Sequence, residues 1–426
     1  MNLLKLYSIT LVVLCLLSAS TAQAQQPFRL TAAVLLAFAA PQADQPATTG
    51  SPKQDDTTTQ KIPSSSTQHS STGSGTSLAG DGANGADDSA SSDKQAGASV
   101  ELFRTFMLLG VILVTLAVAS IVGVFLRRQP PELINPALIA RFSQRVNTWW
   151  LMAAVLTFSI TLHAIGTIVL FALVSFWALR EFITMAPTRR GDHRALFWAL
   201  IVFTPLQYVL IGLEQLGWLK SIDHYGVYSI MIPVYASIFV PARIALSGDH
   251  KRFLERSAQI TSGLLICVYA LSHAPALINL KLVSSDGSAW QGSPIGLFFF
   301  FVLLSQLSEL LQWTWGQVFG RRLIAEEIST SRTWEGFYLG TLSLGLIGAA
   351  LWWVTPFTIW EAACISMIVG VMGMFGSMTM SAIKRDRGVT DYGSLVVGHA
   401  GVLDRIDTLC FSAPVFYHLT RFFFTQ

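Results

Sequence analysis

Charged residues are scarce in this chain. Asp, Glu, Lys and Arg make up 12% of its 426 residues, whereas a soluble globular domain has about 25%. Hydrophobic residues make up 52%, so a protein that is soluble along its whole length is excluded and most of the chain is expected to lie in lipid. The net charge of +3 does not indicate nucleic-acid binding, because the basic residues form short clusters between apolar runs.

Cysteine is scarce as well. Cys15 lies near the amino terminus, and Cys267, Cys364 and Cys410 lie inside apolar segments. No two of them form a C-x-x-C pair. The spacing therefore favours neither a disulfide framework nor a zinc site.

The first 24 residues have the three parts of a secretory signal peptide. Lys5 precedes an apolar stretch from Tyr7 to Leu17, and Ala22-Gln23-Ala24 is similar to a cleavage site. We predict a signal peptide over residues 1–24. An uncleaved membrane anchor is the alternative.

Residues 25–100 contain few aromatic or branched apolar residues. The apolar run from Thr31 to Ala40 has ten residues, and a membrane crossing needs about 20. From Pro41 to about Ser99 the composition is mainly Ser, Thr, Gly, Asp, Gln and Ala, which cannot bury enough apolar surface to offset the entropy lost on ordering. We predict a disordered, exported linker without catalytic residues.

Residues 101–426 are predicted to form one polytopic membrane domain. An apolar run from Phe103 to Leu126 ends at Arg127 and Arg128 and is long enough to span a bilayer. With the segments that follow, the pattern predicts an all-α protein with about ten transmembrane helices. The further apolar segments are 149–163, 167–179, 195–213, 225–242, 260–278, 295–315, 337–354, 361–380 and 408–424.

Lys and Arg predict the orientation of these helices, because they accumulate in cytoplasmic loops. Alternate loops hold them in groups, whereas the opposite loops offer only Lys220 and Lys281. We therefore predict a protein of the bacterial inner (plasma) membrane with five cytoplasmic loops and the linker outside. The cytoplasmic cations are Arg127, Arg128, Arg141, Arg145, Arg180, Arg189, Arg190, Arg194, Arg243, Lys251, Arg252, Arg256, Arg321, Arg322, Arg332, Lys384, Arg385, Arg387 and Arg405.

The last of these loops contains acids as well as bases. Residues 381–407 read SAIKRDRGVTDYGSLVVGHAGVLDRID. A cytoplasmic location accounts for Lys384 and Arg385 but not for the acids. Asp404 and Asp407 are three residues apart, so a helix would place both carboxylates on one face. Such hard oxygen ligands favour magnesium beside phosphates; a solvated acidic face is the alternative.

Small residues in the same loop favour phosphate binding. Gly398-His399-Ala400-Gly401 is a turn whose backbone amides can approach a phosphate. His399 can donate a hydrogen bond or stabilise the turn, and Asp391 can supply another oxygen. Cations, a turn and a carboxylate pair together suit a triphosphate held with a metal ion.

This loop resembles the phosphatidate cytidylyltransferase family, whose hallmark is S-x-x-K-R-x4-K-D, an H-G-G turn and D-R-x-D. Thr390 stands where the family has Lys, and Ala400 stands where it has Gly. The matching positions are Ser381, Lys384, Arg385, Asp391, His399, Gly401, Asp404, Arg405 and Asp407.

An earlier loop supports the resemblance. The family pattern there is a G-R segment and then I-S-P-x-K-T-x-E-G, preceded by an Asp in a membrane helix. Glu309 stands where that Asp is expected, and an acid inside a membrane segment is a candidate functional residue; an interhelical hydrogen-bonded acid is the alternative. Arg332 replaces the Lys, Glu326 and Thr330 replace prolines, and Leu339 replaces a glycine. The matching positions are Gly320, Arg321, Ile328, Ser329, Thr333, Glu335 and Gly336.

The resemblance covers roughly residues 129–426, including Ala178–Phe182, which is similar to the end of an early helix in the family. It implies that CTP and phosphatidic acid give CDP-diacylglycerol and pyrophosphate at the cytoplasmic leaflet. The lipid phosphate would be the nucleophile, and Mg²⁺ the cofactor. A homodimer is a candidate assembly.

The resemblance also implies roles for single residues. Lys384, Asp391, Asp404 and Asp407 would be catalytic, and the three acids together with Glu309 would hold the metal. The residues expected to bind substrate are Ser329, Arg332, Thr333, Glu335, Ser381, Arg385, His399 and Arg405.

Two other interpretations stay open. A CTP-dependent lipid kinase would transfer the terminal phosphate of CTP to an alcohol and so give different products. A non-catalytic membrane protein, either a transporter or an enzyme remnant, is the other. A transporter is expected to have inverted repeats, and the sequence has no clear repeat; the substitutions at Glu309, Thr390 and Ala400 are what favours a remnant.

Overall fold

The structure, a computed structural model, describes residues 106–118, 120, 121, 123, 124, 128, 136–161, 163–185, 189–216, 224–284, 288, 290–389 and 401–425. The predicted signal peptide and linker, residues 1–100, lie outside the described residues. The same is true of Thr390, Asp391, His399 and Ala400.

The described part of the chain is mostly helical, which confirms the all-α prediction. Within it, β-pairing is limited to two isolated bridges, Leu282 with Thr425 and Leu323 with Thr333. The helical segments are α1 (Phe106–Val118), α2 (Pro136–Thr161), α3 (His163–Thr184), α4 (Arg190–Gln215), α5 (Tyr225–Ala245), α6 (Phe253–Asn279), α7 (Pro294–Phe319), α8 (Trp334–Ala350), α9 (Ile359–Asp386) and α10 (Leu403–Phe424).

Six of these helices are long and apolar enough to cross a membrane, namely α3 from Ala164 onward, α4, α5, α6, α7 and α9. The protein is therefore a multi-pass membrane protein. Helix α8 is apolar but has only 17 residues, and α10 carries Asp404, Arg405 and Asp407 in its first two turns. A count of ten crossings stays a prediction.

Helices α7 and α8 approach each other closely at glycines. A Cβ atom on Gly336 would lie 2.5 Å from the carbonyl oxygen of Gln312, and one on Gly340 would lie 2.6 Å from the Cα of Gln312. Small residues at such a crossing allow direct contact between helix backbones. The Gln312 side chain then donates a hydrogen bond to the carbonyl oxygen of Gly370 on α9, at 2.9 Å.

Helices α9 and α10 are in similarly close contact. A Cβ on Gly376 would lie 2.7 Å from the carbonyl oxygen of Asp407. Helix α7 also reaches α10, where the rings of Phe301 and Phe416 stack with centroids 4.8 Å apart. The carboxyl ends of α7 and α9 and the amino ends of α8 and α10 therefore meet at one end of the domain, which we call the site end.

The amino-terminal helices are fixed at the same end by ion pairs. Arg256 at the start of α6 contacts Asp192 at the start of α4 across 3.1 Å, and the side chains are only 2% and 0% exposed. Arg387, just after α9, donates to Glu255 of α6 at 3.3 Å. The segments before α4, before α6 and after α9 therefore lie at one end of the domain. The sequence places cations in all three.

Candidate active site

The loop between α7 and α8 is shaped by hydrogen bonds from its own backbone. Thr333 caps α8, because its hydroxyl accepts from the backbone N–H of Gly336 at 3.2 Å. Glu335 accepts from the backbone N–H groups of Arg321 at 3.1 Å and Arg322 at 3.2 Å. These donors, together with the N–H of Glu335 itself, hold the pKa of Glu335 below its ordinary value. Both residues therefore help to fold the loop, whatever they bind.

Arg332 points from this loop into the protein. Its side chain is buried, and the residue is 9% exposed. One guanidinium nitrogen, Nη2, donates to the Ser377 hydroxyl at 2.8 Å and to Glu309 Oε1 at 3.4 Å. The other, Nη1, is buried and has no hydrogen-bond partner among the described residues. An arginine held by two helices thus keeps a donor for a further acceptor, and a buried donor without one is costly.

Asp407 lies beside Arg332 and Glu309, in the second turn of α10. Its carboxylate accepts from the backbone N–H of Thr408 at 2.6 Å. Burial raises the pKa of Asp407 above its ordinary value, and the nearby Glu309 charge raises it further, while Arg332 opposes both effects. A buried carboxylate, Asp407, thus lies near a partly exposed one, Glu309, which is paired with Arg332. A bound cation would stabilise two such acids.

The residues expected to hold a metal are only partly described. No three His, Cys, Asp or Glu side chains converge on a metal position within the described ranges, and Asp391 lies outside them. Glu309 and Asp407 have the hard oxygen donors that magnesium prefers. Arg332 binds Glu309 and Ser377, and the backbone of Asp407 lies against Gly376, the residue before Ser377. The two acids therefore lie in the same region and fit a divalent cation.

Asp404 has a different neighbour. Lys384, near the end of α9, donates to Asp404 Oδ1 at 2.8 Å. Arg385 lies next to Lys384 and donates through Nε to the carbonyl oxygen of Ile328 at 3.3 Å, which connects α9 to the loop before α8. Lys384, Arg385 and Asp404 therefore lie where the end of α9, the start of α10 and the loop before α8 meet. The sequence predicts that all three segments belong to the site.

The other predicted residues lie around this junction. Ser381 is on α9, one turn after Ser377 and one turn before Arg385, so all three share a helix face. Ser329 lies in the loop before α8, with its hydroxyl 3.5 Å from that of Ser331. The carbonyl oxygen of Arg405 accepts from Gln306 Nε2 at 3.3 Å. The roles of these residues, and those of Asp391 and His399, stay predictions.

Two residues near the site were not predicted from the sequence, namely Ser377, which binds Arg332, and Glu181. Glu181 belongs to the segment Ala178–Phe182, which was noted only for its resemblance. Its side chain accepts from the backbone N–H groups of Val402 at 3.1 Å and Leu403 at 2.9 Å. These residues are more than 200 positions away in the chain, so no local spacing could have indicated the contact.

The fold and the geometry define a class of protein. A membrane-embedded helical domain that holds a buried arginine donor, an acidic pair and surface cations at one end is suited to a phosphorylated substrate and a divalent cation. Residues 143–423 match the model of the cytidylyltransferase family. Because this match covers more than half of the chain, the protein belongs to the cytidylyltransferase family.

Individual relatives agree with this assignment. The chain is 32% identical over 320 residues to "Uncharacterized protein YnbB" of Escherichia coli (strain K12), a match that covers 74% of this chain and 97% of that protein. It is 37% identical over 108 residues to a phosphatidate cytidylyltransferase of Synechocystis, covering 24% of this chain and 36% of the enzyme. With the phosphatidate cytidylyltransferase of Mycobacterium leprae the identity is 32% over 178 residues, covering 41% of this chain and 53% of the enzyme. The matches to these two enzymes thus span between about a third and about half of their length.

Proposed function

We propose that this protein transfers a cytidylyl group from CTP to phosphatidic acid, giving CDP-diacylglycerol and pyrophosphate. Its family and its named relatives support this function. The structural observation that carries the proposal is Arg332, whose buried Nη1 has no partner among the described residues and lies beside the Glu309 and Asp407 acids. A phosphate oxygen is the acceptor that such a guanidinium suits best.

In this reaction the nucleophile comes from the lipid. A phosphate oxygen of phosphatidic acid forms a bond to the α-phosphorus of CTP, and the bond from that phosphorus to the oxygen bridging to the β-phosphorus breaks. Pyrophosphate leaves with the electron pair. No enzyme side chain needs to be acylated or phosphorylated, so the protein contributes positioning and charge neutralisation, as is usual for phosphoryl transfer.

The proposed roles follow from where the side chains lie. Arg332, Lys384 and Arg385 would neutralise phosphate charge, and hydroxyls and cations at the site end would orient the two substrates. Lys384 already contacts a carboxylate, so a bound phosphate would compete with Asp404 for its ammonium group. The remaining residues proposed to contact substrate are Ser329, Thr333, Glu335, Ser381, His399 and Arg405.

We propose Mg²⁺ as the cofactor, held by Asp407 and Glu309 together with Asp404 and Asp391. When bound, the ion would neutralise phosphate charge. The acidic pair supports this proposal, because the folded protein otherwise keeps the buried Asp407 carboxylate near the negative charge of Glu309.

The proposed arrangement in the membrane has the site end in the cytoplasm, where CTP is available. It includes ten crossings of the inner membrane, a signal peptide at residues 1–24 and an exported linker at residues 25–100. The cations of the described loops support this orientation, since Arg256 and Arg387 lie at the site end. A homodimer is part of the same proposal and can be tested by measuring the mass of the purified protein in detergent.

Product analysis tests the function. Purified protein is incubated with CTP, phosphatidic acid and magnesium, and the products are separated. Pyrophosphate with CDP-diacylglycerol is the expected result. CDP with a newly phosphorylated lipid, when a lipid alcohol is supplied instead, would identify a kinase, and no product from either substrate would indicate an enzyme remnant or a transporter.

A further inference from the structure

Glu181 is a buried acid that the proposed reaction does not use. It lies near the end of α3 and is 3% exposed. Its Oε1 accepts from the N–H of Val402 at 3.1 Å, and its Oε2 accepts from the N–H of Leu403 at 2.9 Å. Both oxygens are therefore occupied by the first amides of α10, and no ion pair of Glu181 occurs among the described residues.

Helix α10 needs a cap from elsewhere in the protein. The first N–H groups of a helix have no partner within the helix, and a side-chain oxygen from Ser, Thr, Asp or Asn usually accepts one of them. Gly401, Val402 and Leu403 have no such oxygen, and α10 has no local side-chain cap. Glu181 accepts hydrogen bonds from two N–H groups at the start of α10. It also places a negative charge at the positive end of the helix dipole.

The part of α3 that carries Glu181 is tightly packed. The neighbouring side chains of Leu179 and Phe182 are buried, at 0% and 5% exposure. A Cβ on Gly263 of α6 would lie 2.8 Å from the Phe182 ring, so α3 and α6 are in close contact at this level. Glu181 therefore connects a packed part of the amino-terminal helices to the start of α10.

We propose that Glu181 is a positioning residue, which fixes the first turns of α10 and thereby the carboxylates of Asp404 and Asp407. Asp404 lies one residue after Leu403, and Asp407 one turn later, so rotation or fraying of this end of the helix would displace both acids. The structural part of the proposal depends only on the contacts of Glu181. The consequence for magnesium and catalysis rests on the proposed function.

Glu255 offers a matched comparison. Residues 390–400 lie between Arg387 and α10, and Glu255 binds Arg387 at 3.3 Å on the other side of this segment. The Arg387 and Glu255 side chains are 21% and 33% exposed, so solvent screens this ion pair more than it screens the buried Glu181. Two glutamates thus contact residues on either side of the same chain segment. Glu181 is buried against helix amides, and Glu255 is partly exposed against a guanidinium.

The first test is hydrogen–deuterium exchange of the purified full-length protein without magnesium. Glu181→Gln keeps one acceptor oxygen but loses the charge and the second acceptor. We expect amides of residues 402–406 to exchange about fivefold faster or more, while peptides from α7 keep their protection. Glu255→Gln should leave residues 402–406 unchanged. Unchanged exchange in Glu181→Gln would overturn the proposal.

The second test is the magnesium dependence of CDP-diacylglycerol synthesis. Displaced supporting groups typically weaken metal sites by about 10- to 100-fold, so Glu181→Gln should raise the magnesium concentration at half-maximal rate by about tenfold or more. Glu181→Asp retains the charge and both oxygens on a shorter side chain, so it should raise the magnesium concentration at half-maximal rate by a smaller factor. If Glu181→Gln does not fold, the magnesium concentration at half-maximal rate is compared between Glu181→Asp and the parent protein. An unchanged value in Glu181→Asp overturns the proposal.

The two tests separate the possible failures. Faster exchange in Glu181→Gln with an inactive parent protein would reject the proposed function and keep the cap. A changed magnesium requirement with unchanged exchange would make Glu181 a direct metal ligand and reject the positioning role.

Discussion

Lys384 donates a hydrogen bond to Asp404 across 2.8 Å and so joins the end of α9 to the start of α10. Asp407, one turn further along α10, lies instead beside Glu309 and Arg332. The two acids of the D-R-x-D motif therefore have different surroundings. Asp404 is paired with Lys384, whereas Asp407 is buried and lies near both a second acid and an arginine that is paired with that acid. This difference leads to separate predictions for the site.

Asp404→Asn and Asp407→Asn should each reduce CDP-diacylglycerol synthesis by about 100-fold or more. The substitutions preserve volume but remove charge, and loss of one electrostatic element at an active site typically costs about 2.7–4 kcal/mol of transition-state stabilisation. Glu327→Gln, which changes an exposed acid in the loop before α8, is the control and should keep the parent rate. Parent-level rates for both Asn variants at limiting magnesium would show that neither acid holds the metal.

Arg332→Lys should reduce kcat/KM for CTP by about tenfold or more, although it restores the lysine of the family pattern. A lysine has one charged nitrogen and cannot bind Ser377, Glu309 and a phosphate with the geometry of a guanidinium. Loss of one charge-assisted hydrogen bond, about 1.5–3 kcal/mol, sets the magnitude. Arg321→Lys changes an exposed cation of the same loop and serves as the control; equal kinetics for the two variants would remove Arg332 from the site.

At limiting magnesium, the rate of CDP-diacylglycerol synthesis should rise with pH. This rise should occur above the pH range in which an ordinary carboxyl group ionises. Burial and Glu309 raise the pKa of Asp407, so its carboxylate forms at higher pH than in a free aspartate. Without metal, the folded protein binds this proton more tightly than the unfolded chain, and the free energy of unfolding should fall as pH rises toward the raised pKa. Magnesium competes with the proton, so more magnesium should move the rise in rate to lower pH. A pH profile that magnesium does not shift would contradict this assignment.

Membrane orientation can be tested with two cysteines that flank α7. Gln291 and Thr330 are both exposed, and the transmembrane candidate Pro294–Phe319 lies between them. In a Cys364→Ser background, which removes the exposed thiol among the cysteines that the structure describes, Gln291→Cys should react with a membrane-impermeant maleimide added outside the inner membrane. Thr330→Cys should react only after the membrane is permeabilised. The opposite pattern would place the site end outside and exclude cytosolic CTP as substrate.

Asp192→Asn should destabilise the domain by about 1–3 kcal/mol, because the buried Arg256 loses its closest carboxylate but keeps Asp249. Asp249→Asn is the matched variant, since Asp249 also contacts Arg256 but its side chain is 30% exposed, and its effect should be smaller. Thermal unfolding in detergent measures both. Equal shifts for the two variants would mean that burial of the Asp192 pair does not matter for stability.

The sequence predicted a grouping of several candidate residues, because the two motifs place polar groups at fixed distances along the chain. Glu309 of α7, Arg332 of the loop before α8 and Asp407 of α10 do lie near one another. Their roles stay predictions. Ser377, which holds Arg332 in place, was not predicted. Its distance along the chain from Arg332 follows no motif spacing, and only the packing of α9 against the other helices brings the two together.

Other features depend on packing across the whole domain. The i, i+3 spacing of Asp404 and Asp407 predicts a shared helix face. It does not show that Lys384 donates a hydrogen bond to Asp404. The cap that Glu181 provides to α10 joins residues of different helices. Cations such as Arg256 predicted a cytoplasmic loop, whereas its buried contact with Asp192 needs the packing of α4 against α6.

The most direct test of the account uses CTP labelled at either its α- or its γ-phosphorus, with purified full-length protein, phosphatidic acid and magnesium. If the protein transfers a cytidylyl group, the α-label enters the lipid fraction as CDP-diacylglycerol and the γ-label appears in pyrophosphate. Asp407→Asn should abolish most of both signals. Entry of the γ-label into lipid, or no transfer of either label by a folded parent protein, would contradict the account.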